Sequence, residues 1–189
     1  MQRGTVVQDP LDVWVARARD GDHDAFGEIV RHTQTQVYNL AYQILRNPQE
    51  AEDLAQVAYV RAWRALPNFR GDSRFSTWLY RIVTNTCLNR RRQLGRSVEL
   101  GDDHLALAAD GQLQPESSVI ERQTRRELWS AVGELPERYR TVLTLFYQAQ
   151  LSYDDIAASL TLPLGTVKAQ LSRARRALAR LLERDEPHE

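Results

Sequence analysis

The chain has 189 residues, 42% of them hydrophobic, which is enough for one large domain or two small ones with folded cores. Lys and Arg together number 25 and so do Asp and Glu, so the net charge is zero and any nucleic-acid surface has to come from uneven distribution. A single cysteine, Cys87, excludes an internal disulfide, and no histidine cluster suggests zinc. No apolar run approaches a membrane span, and an N-terminus interrupted by Asp9, Asp12, Arg17 and Arg19 is not a signal peptide, so a cytoplasmic protein without membrane insertion is expected.

Asp9-Pro10 is expected to open a short first helix, and Asp22 or Asp24 a longer one with Phe26, Ile29, Val30, Val37, Leu40, Ala41, Ile44 and Leu45 at helical spacing. Asn47-Pro48 ends that helix and starts a third over residues 49–66, acidic in its first turn, with Pro67 as its stop. Along it, Asp53, Gln56, Val57 and Val60 fall at i, i+3, i+4 and i+7 and form one stripe, polar at its start and apolar at its end. Intradomain core is the competing assignment for the two valines. A loop with Phe69, Arg70 and Ser73 leads to a fourth helix over residues 74–93. One side of that helix carries Phe75, Trp78, Leu79, Ile82, Val83 and Thr86; the other carries Thr77, Tyr80, Arg81, Thr84, Asn85, Leu88 and Asn89, then Arg90-Arg91-Arg92. Trp14, Trp63, Trp78 and Trp129 are expected to pack in cores.

Residues 94–118 shift to Gly95, Gly101, Gly111, Pro115 and the acidic Glu99, Asp102, Asp103, Asp110 and Glu116, the composition of a flexible acidic linker. Helical pattern resumes near Val119, pauses before Pro136 and continues to Gln148. Ser152 then caps a helix over residues 153–160, with Asp155 completing a capping box. Pro163 and Gly165 break and restart the chain. Val167, Leu171, Ala174, Leu178 and Leu181 give the next helix an apolar stripe, and Thr166, Lys168, Ala169, Ser172, Arg173 and Arg176 stand on its opposite face. Residues 161–182 hold five basic side chains and no acidic one, as suits a helix entering a major groove. Lys168 and Arg173 are candidates for guanine edges, Ala169 and Ser172 for close seating, Thr166 for a phosphate at the helix start, and Arg175, Arg176 and Arg180 for phosphates.

The run Phe69-Arg70-Gly71-Asp72-Ser73-Arg74-Phe75-Ser76-Thr77-Trp78-Leu79-Tyr80-Arg81-Ile82, followed by Asn85, resembles the DNA-reading segment of extracytoplasmic-function (group 4) sigma factors of the bacterial sigma-70 family. The segment from Ser152 to Ala157, with that from Pro163 to Lys168, resembles region four of the same class. The resemblance implies an all-α chain of two small helical domains, sigma region two over residues 10–93 and region four over residues 119–186, joined by the flexible linker. It implies no cofactor and no catalysis, but binding to core RNA polymerase through the beta-prime clamp helices and beta flap, and promoter-specific initiation in stress response. Region four would read the minus-thirty-five element through Thr166, Lys168, Ala169, Ser172, Arg173 and Arg176. Region two would dock on the clamp through Asp53, Gln56, Val57 and Val60, and would capture the melted minus-ten element through Ala65, Phe69, Arg70, Ser73, Arg81 and Asn85. Phe69 and Asn85 would supply the apolar wall and the amide that a turned-out base needs, and Arg70, Arg74, Arg81 and residues 90–92 would hold phosphates. The resemblance also implies an anti-sigma factor as partner.

Two other classes are weaker. A dimeric helix-turn-helix regulator leaves residues 69–93 without a purpose. An enzyme would need more than His23, His32, His104 and His188 scattered without carboxylate or cysteine partners, and no phosphate-binding glycine loop is present.

Overall fold

A computed structural model describes residues 11–93 and 119–185. Among these residues the chain is helical throughout, without a strand: α1 (Asp12–Arg19), α2 (His23–Leu45), α3 (Pro48–Ala65), α4 (Phe75–Gln93), α5 (Val119–Glu134), α6 (Glu137–Leu143), α7 (Tyr153–Leu160) and α8 (Leu164–Asp185). The all-α fold that the resemblance implies is present among the described residues, while Asp9-Pro10 and the acidic segment 94–118 lie outside them.

Local chemistry sets most of the helix ends. Asp22 caps α2 by accepting from Ala25 N–H at 3.0 Å, and Arg46 closes that helix in the left-handed region at φ 54°. Asn47 caps α3 by accepting from Glu50 N–H at 3.0 Å, and Pro48 occupies the first turn, where its missing N–H costs nothing. Ser152 and Asp155 form the expected reciprocal capping box at α7, with Asp155 N–H donating to Ser152 Oγ at 3.2 Å and Ser152 N–H to Asp155 Oδ2 at 3.3 Å.

Four details depart from the sequence reading. Helix α1 starts after Leu11, with no side-chain cap. Pro67 does not stop α3 outright; a 3₁₀ turn over Leu66–Asn68 follows Ala65 and absorbs the proline. The helix expected up to Gln148 changes at Thr144 into a π turn over Thr144–Gln148, leaving Gln150 at φ 54°. The apolar side of α4 is not its only packed side, because Tyr80, Thr84 and Leu88 on the other are buried as well. Both sides of that helix are in use.

Helices α1–α4 pack as one bundle, α2 against α1, α3 and α4, and the Thr33 hydroxyl ties α2 to α3 at 2.8 Å from the Tyr59 phenol. In the second unit α6 and α7 pack on α8. The four tryptophans are partly buried against the core, as expected. The two units also touch: α2 meets α6 and the π turn, and α4 meets α7. Their buried residues run together from Leu11 to Ala174 as a single hydrophobic cluster.

Candidate nucleic-acid interface

Helix α8 sorts its residues by face. Val167, Leu171 and Ala174 are buried, while Lys168, Ala169, Ser172, Arg173 and Arg176 are exposed and Thr166 is half-buried. A clean inward stripe is what holds a recognition helix at a fixed angle, and the outward residues are the ones a groove would meet. The Thr166 amide is already committed to Pro163 O at 2.9 Å, so it is not available to seat a phosphate as expected. Arg175 also departs from its expected part in phosphate contact. Its Nε donates to the Tyr147 hydroxyl at 2.9 Å, and its guanidinium lies over Phe146 and Tyr147 at 5.4 and 5.6 Å from the ring centroids. Phe146 in turn stacks on Tyr153 at 5.2 Å. Arg175 thereby fastens α8 to the π turn and, through Phe146, to α7. Its hydrogen bonds to Tyr153 and Tyr147 outweigh the burial that opposes its charge and hold its pKa above the ordinary value.

On the first unit, Asp53, Gln56, Val57 and Val60 all lie exposed along α3, Val57 at 38% and Val60 at 50%. The core assignment for the two valines is therefore wrong. With Arg61 and Arg64 the four residues line one shallow groove. Glu50, beside this stripe, is taken by Arg90 in a two-pronged pair at 2.8 Å for each bond. That hydrogen-bonded pair holds the Glu50 carboxyl below its ordinary range.

The expected base pocket is assembled differently from the sequence reading. Phe69 is only 9% exposed, with its ring 5.8 Å from Phe75 and 5.1 Å from Trp78, so it anchors the loop in the core and leaves at most an edge for a base. Ala65 and Ser73 are half-buried, and Arg70 and Asn85 are exposed. Of the arginines expected to hold phosphates, Arg70 and Arg74 are exposed, whereas Arg81 pairs with Asp155 at 2.6 Å, Arg91 with Glu137 at 2.8 Å, and Arg92 donates to Ser159 O at 2.6 Å. Three of the arginines expected to hold phosphates are thus engaged by protein groups.

Comparison with known proteins agrees with this two-part layout. Residues 29–97 match the family described as Sigma-70 region 2, and residues 125–178 match Sigma-70, region 4. The chain is 37% identical to the ECF RNA polymerase sigma factor SigW of Bacillus subtilis over 89% of this chain and 94% of that one. The chain belongs to the extracytoplasmic-function class of the sigma-70 family. It is also 38% identical to the RNA polymerase sigma-H factor of Pseudomonas aeruginosa, over 89% of this chain and 92% of that one. Among solved structures it resembles CnrH, in complex with the cytosolic domain of CnrY, at TM-score 0.57 and 27% identity, covering 94% of this chain and all of that one. The sigma factor RpoE of Bartonella quintana, in complex with the anti-sigma factor NepR, matches at TM-score 0.55 and 25% identity over 85% of this chain and 98% of that one. A sigma factor directs promoter-specific initiation by RNA polymerase, and both halves that this task requires are present.

Two residues of the sigma factor carry structure that sequence reading missed. Arg140, 2% exposed, donates to Leu135 O at 3.2 Å and Gly133 O at 3.4 Å, and its Nε reaches Gln43 O at 3.3 Å in the other unit. Burial, then the nearby Arg46, pushes its pKa down to about 10, so it keeps its charge at neutral pH. Asp155 was assigned only to a helix cap and also receives Arg81. Nothing local signals either, since Arg140 follows Glu137 and Arg138 in an ordinary charged helix start.

Proposed function

We propose that this sigma factor divides initiation between its halves, with region two over residues 10–93, a linker over residues 94–118 and region four over residues 119–186. The α3 stripe of Asp53, Gln56, Val57 and Val60 docks on the beta-prime clamp helices, and region four meets the beta flap. Helix α8 reads the minus-thirty-five element through Lys168, Ala169, Ser172, Arg173 and Arg176, with the Thr166 hydroxyl at its start. The segment from Ala65 to Ser73, with Arg70, Asn85 and Arg81, captures the melted minus-ten strand, Phe69 fixing the loop that forms the site. The observation that carries this reading is the sorting of α8 into a buried Val167, Leu171 and Ala174 stripe and an exposed basic face. The protein acts in the cytoplasm as a binding subunit without catalysis of its own. Among the described residues no helix is long and apolar enough to cross a membrane. An anti-sigma factor is the expected regulator, since CnrH and the Bartonella RpoE are each seen with a protein partner.

Run-off transcription with purified core polymerase on a library of promoter-like fragments tests the reading. Discrete transcripts that need both core and this protein support it; duplex binding without core and no core-dependent initiation would replace it with the dimeric regulator.

A further inference from the structure

Tyr147 belongs to neither the DNA-reading nor the polymerase-docking residues, yet it is held from several sides. Its ring stands edge-on to Phe146 at 5.0 Å between centroids, Phe146 stacks on Tyr153 at 5.2 Å, and the Arg175 guanidinium lies over both Phe146 and Tyr147. The main chain is fixed as well, since Gln150 donates its side-chain amide to Tyr147 O at 2.7 Å at the end of the π turn. With all this support the residue is still 47% exposed. Burial therefore does not account for its placement.

The hydroxyl oxygen accepts from Arg175 Nε at 2.9 Å and makes no other hydrogen bond among the described residues. A phenol carries one donor proton beside its lone pairs. With a lone pair taken by a guanidinium, the proton is left to give, and the cation at the oxygen strengthens it as a donor. Its position names the acceptor. Lys168, Ser172 and Arg175 fall at i, i+4 and i+7 and form one exposed row along α8, so the Tyr147 hydroxyl stands at the flank of that row. A helix with its side chains is about 10–12 Å across and the major groove about 12 Å wide, so a group at the flank of a seated helix meets the phosphate rim and not a base edge. Residues 144–151 hold no acidic side chain that would repel a phosphate there.

We propose that the Tyr147 hydroxyl is a phosphate-binding group of the minus-thirty-five interface, with Arg175 as the residue that holds its oxygen and so presents its proton to the DNA backbone. The inference rests on the reading of α8 as the recognition helix and adds to it a contact from outside the helix-turn-helix. Such a contact carries no base preference; it fixes the seat of α8, from which the base-reading side chains act. It also gives the π turn a purpose. Turns of this kind recur at functional sites, and this one carries both rings that Arg175 covers.

The test uses Tyr147→Phe, which keeps the ring and its packing and removes only the hydroxyl. Holoenzyme assembled from core polymerase and the full chain is bound to a promoter fragment taken from the run-off library, and each phosphate around the minus-thirty-five element is replaced in turn by an uncharged methylphosphonate. The variant is expected to bind the unmodified fragment about three- to tenfold more weakly than the parent, with discrimination between promoters altered at single base pairs unchanged. Because a hydroxyl releases no counterion, the log–log salt slope should hold. The phosphate scan decides the matter: one methylphosphonate that weakens the parent should cost the variant nothing further, while the others cost both proteins alike. Equal penalties for parent and variant at every phosphate would overturn the inference and leave Tyr147 a support for α8. A salt slope lowered by about 0.9 in the variant would overturn it too, by moving the contact to a charged side chain. Parental holoenzyme that starts no discrete transcript on the library would instead overturn the initiation reading, and this inference with it, before any phosphate is replaced.

Discussion

Arg173 and Arg175 stand two positions apart on one helix and do different work. Arg173 points outward from the α8 face, so Arg173→Ala is expected to relax discrimination at one minus-thirty-five position by about 1–3 kcal/mol, with binding to core unchanged; comparing run-off on promoters altered at single positions checks this, and equal discrimination by mutant and parent sinks the assignment. Arg175 is spent on Tyr147 and Phe146. Arg175→Ala therefore removes a cation–π contact worth about 0.5–1 kcal/mol at an exposed site, and should lower the melting temperature while leaving the salt dependence of DNA binding as it was. A phosphate contact would behave in the opposite way, lowering the log–log salt slope by about 0.9. Melting curves and a salt titration on the same variant separate the two roles.

At the scale of elements, α3 and the loop before α4 test whether exposure or burial decides function. Val60 is half exposed, so Val60→Arg should change stability by no more than about 0.5 kcal/mol yet abolish co-elution with core polymerase; co-elution at parental level would remove the stripe from the docking surface. Phe69 presents the reverse problem, because truncation of so buried a ring to alanine costs about 3–5 kcal/mol and would confuse folding with function. Phe69→Leu keeps the apolar anchor and removes the aromatic edge. Open-complex formation, read by permanganate reactivity of the melted strand, is expected to fall while closed-complex binding holds; unchanged reactivity would leave Phe69 a packing residue only. The elements themselves were legible wherever the signal was local. Asp22, Asn47 and Ser152 announced their helices because a cap is a contact over three residues. The π turn at Thr144–Gln148 was not legible, since no residue in it breaks helical pattern and the departure arises from packing. The burial of Tyr80, Thr84 and Leu88 escaped for a related reason: periodicity gives one buried side of a helix, not the second side covered by a neighbour.

The whole molecule holds what no window of sequence contains. The exposed face of α8 and the stripe on α3 could be read from spacing, because each lies within one helix. The pairing of Arg81 with Asp155 could not, since both residues had adequate local assignments, one to DNA and one to a cap, and only the fold brings them to 2.6 Å. The same scale supplies a stability prediction centred on Gln43. Its amide is buried with neither atom bonded among the described residues, and a buried unsatisfied group costs about 1–3 kcal/mol, whereas an apolar side chain of similar volume carries no such penalty. Gln43→Leu is therefore expected to raise the melting temperature. A lower melting temperature, read by circular dichroism on parent and variant, would show instead that bound water satisfies the amide in the folded protein.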